Sequence, residues 1–487
     1  MSVRPGAIIT AGAVALDTGR RQWTYQELQA QARQVGDILR GQGTHVLATL
    51  LDNGPGWIVA DRAAQLAGAV HVPLPAFFTP DQLSHAVRSA GVDTLLALPI
   101  YAAGLAAALG AAPPQPLDVA GEAMAVVRLP ARPARLPGGT GKITFTSGTT
   151  GTPKGVCLSQ AAMDAVAQGL VLATQPLDIR RHLCVLPLPV LLENVAGVLA
   201  PLARGATCVV PPLHEVGLTG SSTFDPARLQ AAVAQHRPHS MILLPQMLRA
   251  WAGWLHQTRQ RAPDSLRLVA VGGAVVGARL LESARRLGIP AYEGYGLSEG
   301  ASVQTLNLPG ADRPGSAGRA LPHARVRVGA DGEIEVAGSL MAGYLGAETP
   351  APAWWPTGDL GRIDADGFVH VEGRRKHLLI TSFGRNVSPE WVEQALRSEP
   401  VVAQAVVFGD GQPALSAVLW PVVPDAPEAA LQSAVDAANA ALPDYARVRQ
   451  WTRARAAFTP QTGLATPNGR PHRAAILRAH ADALQLS

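Results

Sequence analysis

The chain of 487 residues is 47% hydrophobic and 16% charged, and its 41 basic and 36 acidic residues give a formal net charge of +5. It is long enough to bury a large core, and its 49 glycines and 40 prolines are spread along it, which argues against a disordered or collagen-like chain. The basic residues are interleaved with acids and show no aromatic-basic stacking pattern, so nucleic acid is not an expected partner. Only Lys142, Lys154 and Lys376 are lysines, and the other 38 basic residues are arginines.

The cysteines and the apolar stretches predict a cytoplasmic protein. Cys157, Cys184 and Cys208 show neither C-x-x-C spacing nor a zinc-like histidine partner, which is typical of buried thiols in a reducing compartment. Residues 7–16 mimic a signal peptide, but threonine and glycine interrupt them, and a short first strand is favoured. The most apolar longer stretch, residues 183–203, contains three prolines and a glutamate, so no integral membrane segment is expected.

The first part of the chain alternates between helical and strand patterns. A helix is predicted over residues 23–39, where Thr24 and Glu27 form a capping-box pattern. Further strands are predicted over 46–51 and 69–73, with a helix over 57–66 between them. Such alternation predicts an α/β fold with mostly parallel sheets and helices on their faces.

After about residue 308 the pattern changes to short β segments. Residues 325–328 and 333–336 flank the Asp331-Gly332 turn and predict a hairpin. Beyond Gly373, strands over 403–408 and 416–421 and a helix over 428–442 predict a separate small α+β domain.

Residues 146–155 carry the strongest chemical signal. They read TSGTTGTPKG and directly follow a predicted strand. Closely spaced glycines let backbone amides approach an anion, the hydroxyls add donors, and Lys154 supplies a point charge. A Walker A loop needs Gly-x4-Gly-Lys-Ser/Thr, which this string does not provide. The string predicts a phosphate-binding loop of another kind.

This string resembles the phosphate-binding loop of the adenylate-forming (AMP-binding) superfamily, which includes acyl-CoA synthetases, luciferases and peptide-synthetase adenylation domains. Residues 292–299, YEGYGLSE, are similar to the family's aromatic-Gly-x-Thr/Ser-Glu motif. The resemblance implies that Tyr295 stacks on adenine, Ser298 meets the phosphate and Glu299 holds Mg²⁺. The residues assigned to the phosphates are Thr146, Ser147, Gly148, Thr149, Thr150, Gly151 and Lys154.

Four more segments are similar to family motifs. Residues 272–274 resemble the glycine turn of the adenine pocket, 357–359 the Thr-Gly-Asp motif that binds ribose, and 373–374 the Gly-Arg that joins it. Lys376 falls at the family's hinge, and residues 382–390 resemble the loop that approaches the thiol acceptor. The further nucleotide- or CoA-binding residues implied are Gly272, Gly273, Ala274, Glu293, Gly294, Tyr295, Gly296, Asp359, Arg374, Lys376 and Gly384.

The end of the chain departs from the family pattern. The family closes with a Gly-Lys motif whose lysine bridges carboxylate and α-phosphate, whereas Arg470 stands there in this sequence. Arginine keeps the positive charge and can grip oxygens with its planar fork. The catalytic residues implied are Lys154, Ser298, Glu299 and Arg470. The resemblance predicts an N-terminal AMP-binding domain of several subdomains over 1–374 and a mobile lid domain over 375–487, while Lys142 is interpreted as an ordinary loop residue.

A serine hydrolase is the rival enzyme class. Residues 296–300 satisfy Gly-x-Ser-x-Gly, and Asp359 and His370 follow in the required order. The nucleophile elbow needs a helix directly after the serine, yet the chain reaches the Asn-Leu-Pro-Gly segment 307–310 within about nine residues. This interpretation also leaves the phosphate loop unexplained, so it is disfavoured.

The acyl group and its acceptor are predicted from two further segments. Residues 186–194, LPLPVLLEN, look most like the Leu-Pro-Leu-x-His motif of long-chain acyl-CoA synthetases, with Val190 at the histidine position. The segment has no aspartate for an amino group, which favours an aliphatic acid such as a fatty acid, or an aryl acid. Seven arginines and no acid occupy 447–478, which indicates either a solvated face or a contact with CoA or carrier-protein phosphates.

The predicted function is therefore that of an AMP-forming acid–thiol ligase using ATP, Mg²⁺ and CoA. It would activate a carboxylic acid to acyl-AMP and transfer the acyl group to the thiol of CoA. Two alternatives stay open: a ligase that loads a separate acyl carrier protein, and a catalytically weakened protein that only binds acyl-AMP or nucleotide.

Overall fold

The computed structural model describes residues 12–130, 132–146, 153–220, 223–274, 276–347, 351–380, 382, 386–466 and 469–484, without the side chains of Lys376, Ile380 and Asn386. No helix within these ranges is long and apolar enough to span a bilayer. The three cysteines are buried free thiols, as predicted.

The first elements form an α/β layer built on an eight-stranded sheet. Its strands run in the order β21-β9-β8-β4-β3-β5-β7-β6, where β21 is the later segment Gly343–Tyr344. They are parallel at β8-β4-β3-β5 and antiparallel outside this centre. The predicted capping box at Thr24 is present. The elements are β1 (Val14–Asp17), β2 (Gln22–Thr24), α1 (Tyr25–Gly41), β3 (Val46–Leu50), α2 (Pro55–Ala67), β4 (Val70–Pro73), α3 (Pro80–Ser89), β5 (Thr94–Ala97), α4 (Pro99–Leu109), β6 (Gln115–Val119), β7 (Glu122–Arg128), β8 (Thr140–Thr146), β9 (Lys154–Ser159) and α5 (Gln160–Ala173).

A second layer follows, on a nine-stranded sheet ordered β18-β17-β16-β15-β14-β10-β11-β1-β2. Its strands are parallel from β16 to β1 and antiparallel at both edges, so the prediction of mostly parallel sheets holds best here. The elements are β10 (Arg181–Leu183), a π-helical segment (Glu193–Leu199), α6 (Ala200–Arg204), β11 (Thr207–Val209), β12 (Leu218–Thr219), β13 (Thr223–Phe224), α7 (Pro226–His236), β14 (Ser240–Leu243), α8 (Pro245–Thr258), β15 (Leu268–Val271), α9 (Ala278–Arg286), β16 (Ala291–Leu297) and β17 (Ser302–Leu306).

The remaining chain forms smaller sheets. The predicted hairpin is confirmed as β19-β20 in an antiparallel sheet ordered β19-β20-β22-β23, and the last α+β unit is built on β26-β27-β28. The elements are β18 (Arg319–Ala320), β19 (Ala324–Val328), β20 (Glu333–Gly338), β21 (Gly343–Tyr344), β22 (Trp355–Ile363), β23 (Val369–Arg374), β24 (Leu379–Ile380), β25 (Asn386–Val387), α10 (Pro389–Arg397), β26 (Val402–Phe408), β27 (Leu415–Pro421), α11 (Glu428–Ala440), β28 (Val448–Arg453) and α12 (Arg473–Leu484).

Lys142 is not the ordinary loop residue that was predicted. It lies on β8 with only 3% of its surface exposed, and its ammonium is 2.7 Å from Asp61 on α2. Asn194 of the π-helical segment also accepts from it. Burial without partners would be costly for a charged ammonium, so these contacts explain why the lysine is tolerated in the core.

Candidate active site

The predicted phosphate loop joins two antiparallel strands. Thr146 at the end of β8 pairs with Lys154 at the start of β9, and Lys154 is exposed. Ser147, Gly148, Thr149, Thr150 and Gly151 lie outside the described residues. The strand ends therefore fix where the loop starts and finishes.

Lys154 and Glu299 meet at a tyrosine that the sequence did not single out. The Tyr344 hydroxyl donates to Glu299 Oε1 at 2.7 Å, and the Lys154 Nζ is 5.8 Å from the centre of the Tyr344 ring. In the described part of the chain no donor reaches the other carboxylate oxygen of Glu299. A half-buried carboxylate with a free oxygen is the kind of hard ligand that suits Mg²⁺.

Asp359 contacts two other residues that the sequence predicts for the nucleotide site, Arg374 and Tyr295. Arg374 Nε lies 2.6 Å from Asp359 Oδ1, and the Tyr295 hydroxyl donates to Oδ2 at 2.6 Å. Burial raises the pKa of Asp359, while the neighbouring Arg374 opposes this shift. The structure thus brings the Thr-Gly-Asp motif, the Gly-Arg motif and the aromatic motif together.

The glycines of the predicted adenine pocket are closely packed. A Cβ on Gly272 would lie 3.3 Å from the carbonyl oxygen of Gly294, and one on Gly296 would lie 2.3 Å from that of Ser302. Gly273 has a φ of +83° and lies, exposed, next to the exposed Ala274. The two motifs therefore adjoin each other, and a side chain at Gly272 would force them apart, whereas one at Gly296 would push β16 away from β17.

Glu293, also predicted to contact the nucleotide, turns its carboxylate into the core instead. It accepts a hydrogen bond from the Val276 amide at 3.0 Å, and burial raises its pKa to about 7. Its carbonyl oxygen accepts from Asn307. Any contact of Glu293 with a nucleotide would therefore involve its main chain.

Ser298 lies in a single 3₁₀ turn, Ser298–Gly300, which leads directly into β17. A hydrolase elbow needs a helix there, and His370 bonds to Asp364 at 3.0 Å instead of to Asp359. The described geometry therefore gives no serine-hydrolase triad.

Arg470 reaches the same region from the C-terminal part of the chain. It lies close enough to Asp359 and Glu299 to interact electrostatically with both. Thr466 is hydrogen-bonded to the next two described residues, since the Gly469 amide donates to the Thr466 carbonyl and the Thr466 amide donates to the Arg470 carbonyl, each at 2.8 Å. Gly469 also faces Gln246 at the start of α8, because a Cβ on Gly469 would lie 3.9 Å from the side-chain nitrogen Nε2 of Gln246.

The predicted hinge residue, Lys376, lies between two residues whose side chains contact carboxylates. Lys376 belongs to the 3₁₀ turn Arg375–His377, but its side chain lies outside the described atoms, as does Gly384 of the acceptor loop. Arg375 pairs with Asp331 and Glu333, each at 2.5 Å, and His377 lies 2.5 Å from Glu390. The ion pairs of Arg375 thus tie this turn to the hairpin on one side, and the contact of His377 with Glu390 ties it to α10 on the other.

An apolar cavity of about 70 Å³ lies beside these motifs. Ala270 lines it two residues before Gly272, and Val303 lines it four residues after Glu299. Leu192, from the segment compared with the acyl-pocket motif, and Ala196, two residues after that segment, form part of its wall. The cavity therefore adjoins the strands that carry the site.

The arginine-rich segment 447–478 is partly neutralised by acids outside it. Arg449 lies 2.6 Å from Asp444, and Arg473 lies 2.7 Å from Glu393. Arg453 donates to backbone carbonyls. Arg449, Arg453 and Arg473 therefore have partners within the protein itself.

Comparison with known proteins identifies the family. The model of the AMP-binding enzyme family matches residues 7–345, and that of the AMP-binding enzyme C-terminal domain matches residues 376–485. The chain belongs to the AMP-binding enzyme family. The prediction of an adenylate-forming enzyme is thereby confirmed.

The relatives of this AMP-binding enzyme differ in substrate. A feruloyl-CoA synthase from an Amycolatopsis species is 31% identical over 82% of this chain and 83% of the relative. A long-chain-fatty-acid–CoA ligase from Mycobacterium bovis is 29% identical over 80% of this chain and 75% of the relative. The solved structure of an anthranilate CoA ligase with anthranoyl-AMP superposes with a TM-score of 0.81 at 20% identity, covering 98% of this chain and 96% of that one, which confirms the α/β fold.

Proposed function

We propose that this AMP-binding enzyme is an acid–thiol ligase that converts an apolar carboxylic acid to acyl-AMP and then to a CoA thioester. The convergence of Lys154, Glu299, Asp359 and Arg470 from four separate segments is the observation that supports it most. Two cations and two carboxylates in one region suit a nucleoside triphosphate. The cations can bind its phosphates, and a carboxylate can accept hydrogen bonds from its ribose.

In the proposed first step the acid's carboxylate attacks the α-phosphate of ATP and pyrophosphate leaves. Lys154 and the loop hydroxyls would hold the departing phosphates, and Asp359 would accept hydrogen bonds from the ribose. Arg470 would bridge the incoming carboxylate and the α-phosphate. Catalysis of this kind is chiefly positioning together with charge stabilisation.

Mg²⁺, when bound, would neutralise phosphate charge, and Glu299 is the described residue that would hold it. Its free carboxylate oxygen supports this assignment. Ser298 would donate its hydroxyl to a phosphate oxygen from the adjacent position.

In the proposed second step the CoA thiol attacks the acyl carbonyl and AMP leaves. We place the domain boundary at residues 374 and 375, so that the lid, 375–487, rotates about Lys376. Rotation would withdraw Arg470 and bring the Gly384 loop to the thiol. Such gating lets one nucleotide site serve two reactions.

The acid is proposed to be alkyl or aryl. The apolar wall formed by Leu192, Ala196 and Val303 supports a hydrophobic body, and no aspartate in 186–194 offers a partner for an amino group. The named relatives act on one substrate of each kind. The buried free thiols support a cytoplasmic location.

The test is product identification from a panel of C2 to C18 and aryl acids with ATP, Mg²⁺ and CoA. We expect at least one acid to yield its CoA thioester and AMP in equal amounts, detected by mass spectrometry and chromatography. The same reactions with an acyl carrier protein in place of CoA separate the two acceptors. Nucleotide binding without any acid-dependent product would instead identify a protein that only binds.

A further inference from the structure

Tyr344 contacts both charged groups at the phosphate end of the proposed site. Its hydroxyl donates to Glu299, and its ring lies below the Lys154 ammonium within the range of about 6 Å over which a cation attracts an aromatic face. Lys154 and Glu299 lie on different elements, β9 and the turn before β17. In the described structure the tyrosine side chain is the contact that links them.

The backbone around Tyr344 is anchored to the same two elements. The Met341 amide donates to the Glu299 carbonyl at 2.7 Å, and the Leu345 amide donates to the Gly155 carbonyl at 2.8 Å. Residues 343–344 also pair with β9 as the edge strand of the eight-stranded sheet. The position of the hydroxyl is therefore set by hydrogen bonds on both sides of it.

The ring itself is packed on a second aromatic side chain. Trp355 lies edge-on to it, with ring centres 5.9 Å apart. This packing restricts the ring and so reduces the entropy lost when the hydroxyl is held on Glu299. Among the described residues the hydroxyl bonds to Oε1 and no donor reaches Oε2, so Oε2 is the oxygen that would be available to a metal ion.

We propose that Tyr344 is a positioning residue: its hydroxyl orients Glu299 for Mg²⁺ and its ring supports Lys154. The inference rests on the proposed function, because that function supplies the nucleotide and the metal ion. The two parts of the side chain should then have separate effects on ATP binding. The hydroxyl should affect the binding that depends on Mg²⁺, and the ring should affect the binding that does not.

The test compares Tyr344→Phe, which removes only the hydroxyl, with Tyr344→Leu, which also removes the ring. Tyr25→Phe is the matched control, since the Tyr25 hydroxyl donates to the Ala206 carbonyl at 2.8 Å on another part of the chain. Calorimetry measures the dissociation constant of ATP in EDTA and in saturating Mg²⁺ for each protein. The ratio of these two constants measures the benefit of the metal ion without any turnover.

In the Tyr344→Phe protein we expect this ratio to fall by about tenfold, as for the loss of one hydrogen bond to a charged group, while ATP binding in EDTA stays unchanged. Tyr344→Leu should also weaken binding in EDTA by about threefold, because Lys154 loses the aromatic face. Tyr25→Phe should leave both constants as in the wild type. In acid-dependent turnover, Tyr344→Phe should raise the Mg²⁺ concentration at half-maximal rate more than it lowers kcat.

An unchanged ratio in Tyr344→Phe, or an equal loss in Tyr25→Phe, would overturn the inference. If the wild type binds MgATP but forms no acyl product, the proposed ligase function fails and the calorimetric result still decides the role of Tyr344. If the wild type binds no ATP, both proposals fail.

Discussion

Arg470 stands where the family resemblance implies a lysine, and the structure places it close to Asp359 and Glu299. Lysine is a compact charge on a flexible stem, whereas arginine has a planar fork with five donors. The fork can contact a carboxylate and a phosphate at the same time. Its presence here is therefore compatible with the bridging role proposed for the first step.

The Arg470→Ala protein should be impaired mainly in adenylation. We expect a loss of about 10²-fold in acid-dependent pyrophosphate release, as for other removed electrostatic groups, but less than about threefold in thioester formation from supplied acyl-AMP. Arg470→Lys is the matched control and should keep most of the first activity. Equal losses in the two half-reactions would remove the proposed role of Arg470.

Some residues of the candidate site belong to motifs that can be recognised in the sequence, and others do not. Asp359, Arg374 and Tyr295 belong to short motifs, and the structure places both Arg374 and Tyr295 in contact with Asp359. Tyr344 lies outside the motifs named above, and its contacts with Glu299 and Lys154 depend on its pairing with β9 in the folded chain. Glu293 lies within a motif, yet its side chain turns into the core because β16 alternates its faces.

At the scale of elements, Lys142 joins parts of the fold that are distant in sequence. It pairs with Asp61 on α2, whose carboxylate also lies 2.5 Å from His71 on β4. Burial alone would raise the pKa of Asp61, but Lys142 and His71 hold it well below its usual range. The network connects α2, β4 and β8 with the π-helical segment.

Lys142→Met should destabilise the protein by roughly 3–5 kcal/mol, because it leaves the Asp61 charge buried without its main partner. The double variant with Asp61→Leu should recover part of this loss. Urea unfolding midpoints measure both. A single variant within about 1 kcal/mol of the wild type would contradict a structural role for this pair.

The pH dependence follows from the same pKa shift. Because the folded-state pKa of Asp61 lies below its unfolded value of about 3.9, its contribution is present above that pH and is lost as the pH falls below it. The destabilisation caused by Lys142→Met should accordingly shrink at the acid end of an unfolding series.

Local sequence patterns predicted many helices and strands but few of the pairings between strands. The capping box at Thr24 and the Asp331-Gly332 turn act over a few residues, and both are found. The burial of Lys142 depends on β8 lying beside β4, a parallel pairing between strands about seventy residues apart. Such a pairing is set by the packing of the whole sheet and leaves no local trace.

At the scale of the whole molecule, the site draws on both the N-terminal layers and the C-terminal part. Lys154 lies on the eight-stranded sheet, Glu299 on the turn between two strands of the nine-stranded sheet, Asp359 on the antiparallel sheet and Arg470 beyond residue 375. This arrangement, with Arg470 near the two carboxylates, fits the first of the two proposed steps. The ion pair of Arg375 with Glu333 and the contact of His377 with Glu390 would have to change for the second.

Acid-dependent exchange of labelled pyrophosphate into ATP, measured without CoA, tests the proposed activation of carboxylates most directly. Exchange reports reversible acyl-AMP formation alone, so it does not depend on the acceptor. We predict exchange that requires Mg²⁺ and at least one alkyl or aryl acid, and that falls about 10²-fold in Arg470→Ala. Failure of every acid to support exchange, or exchange that proceeds equally without acid, would contradict the claim that this AMP-binding enzyme activates carboxylates.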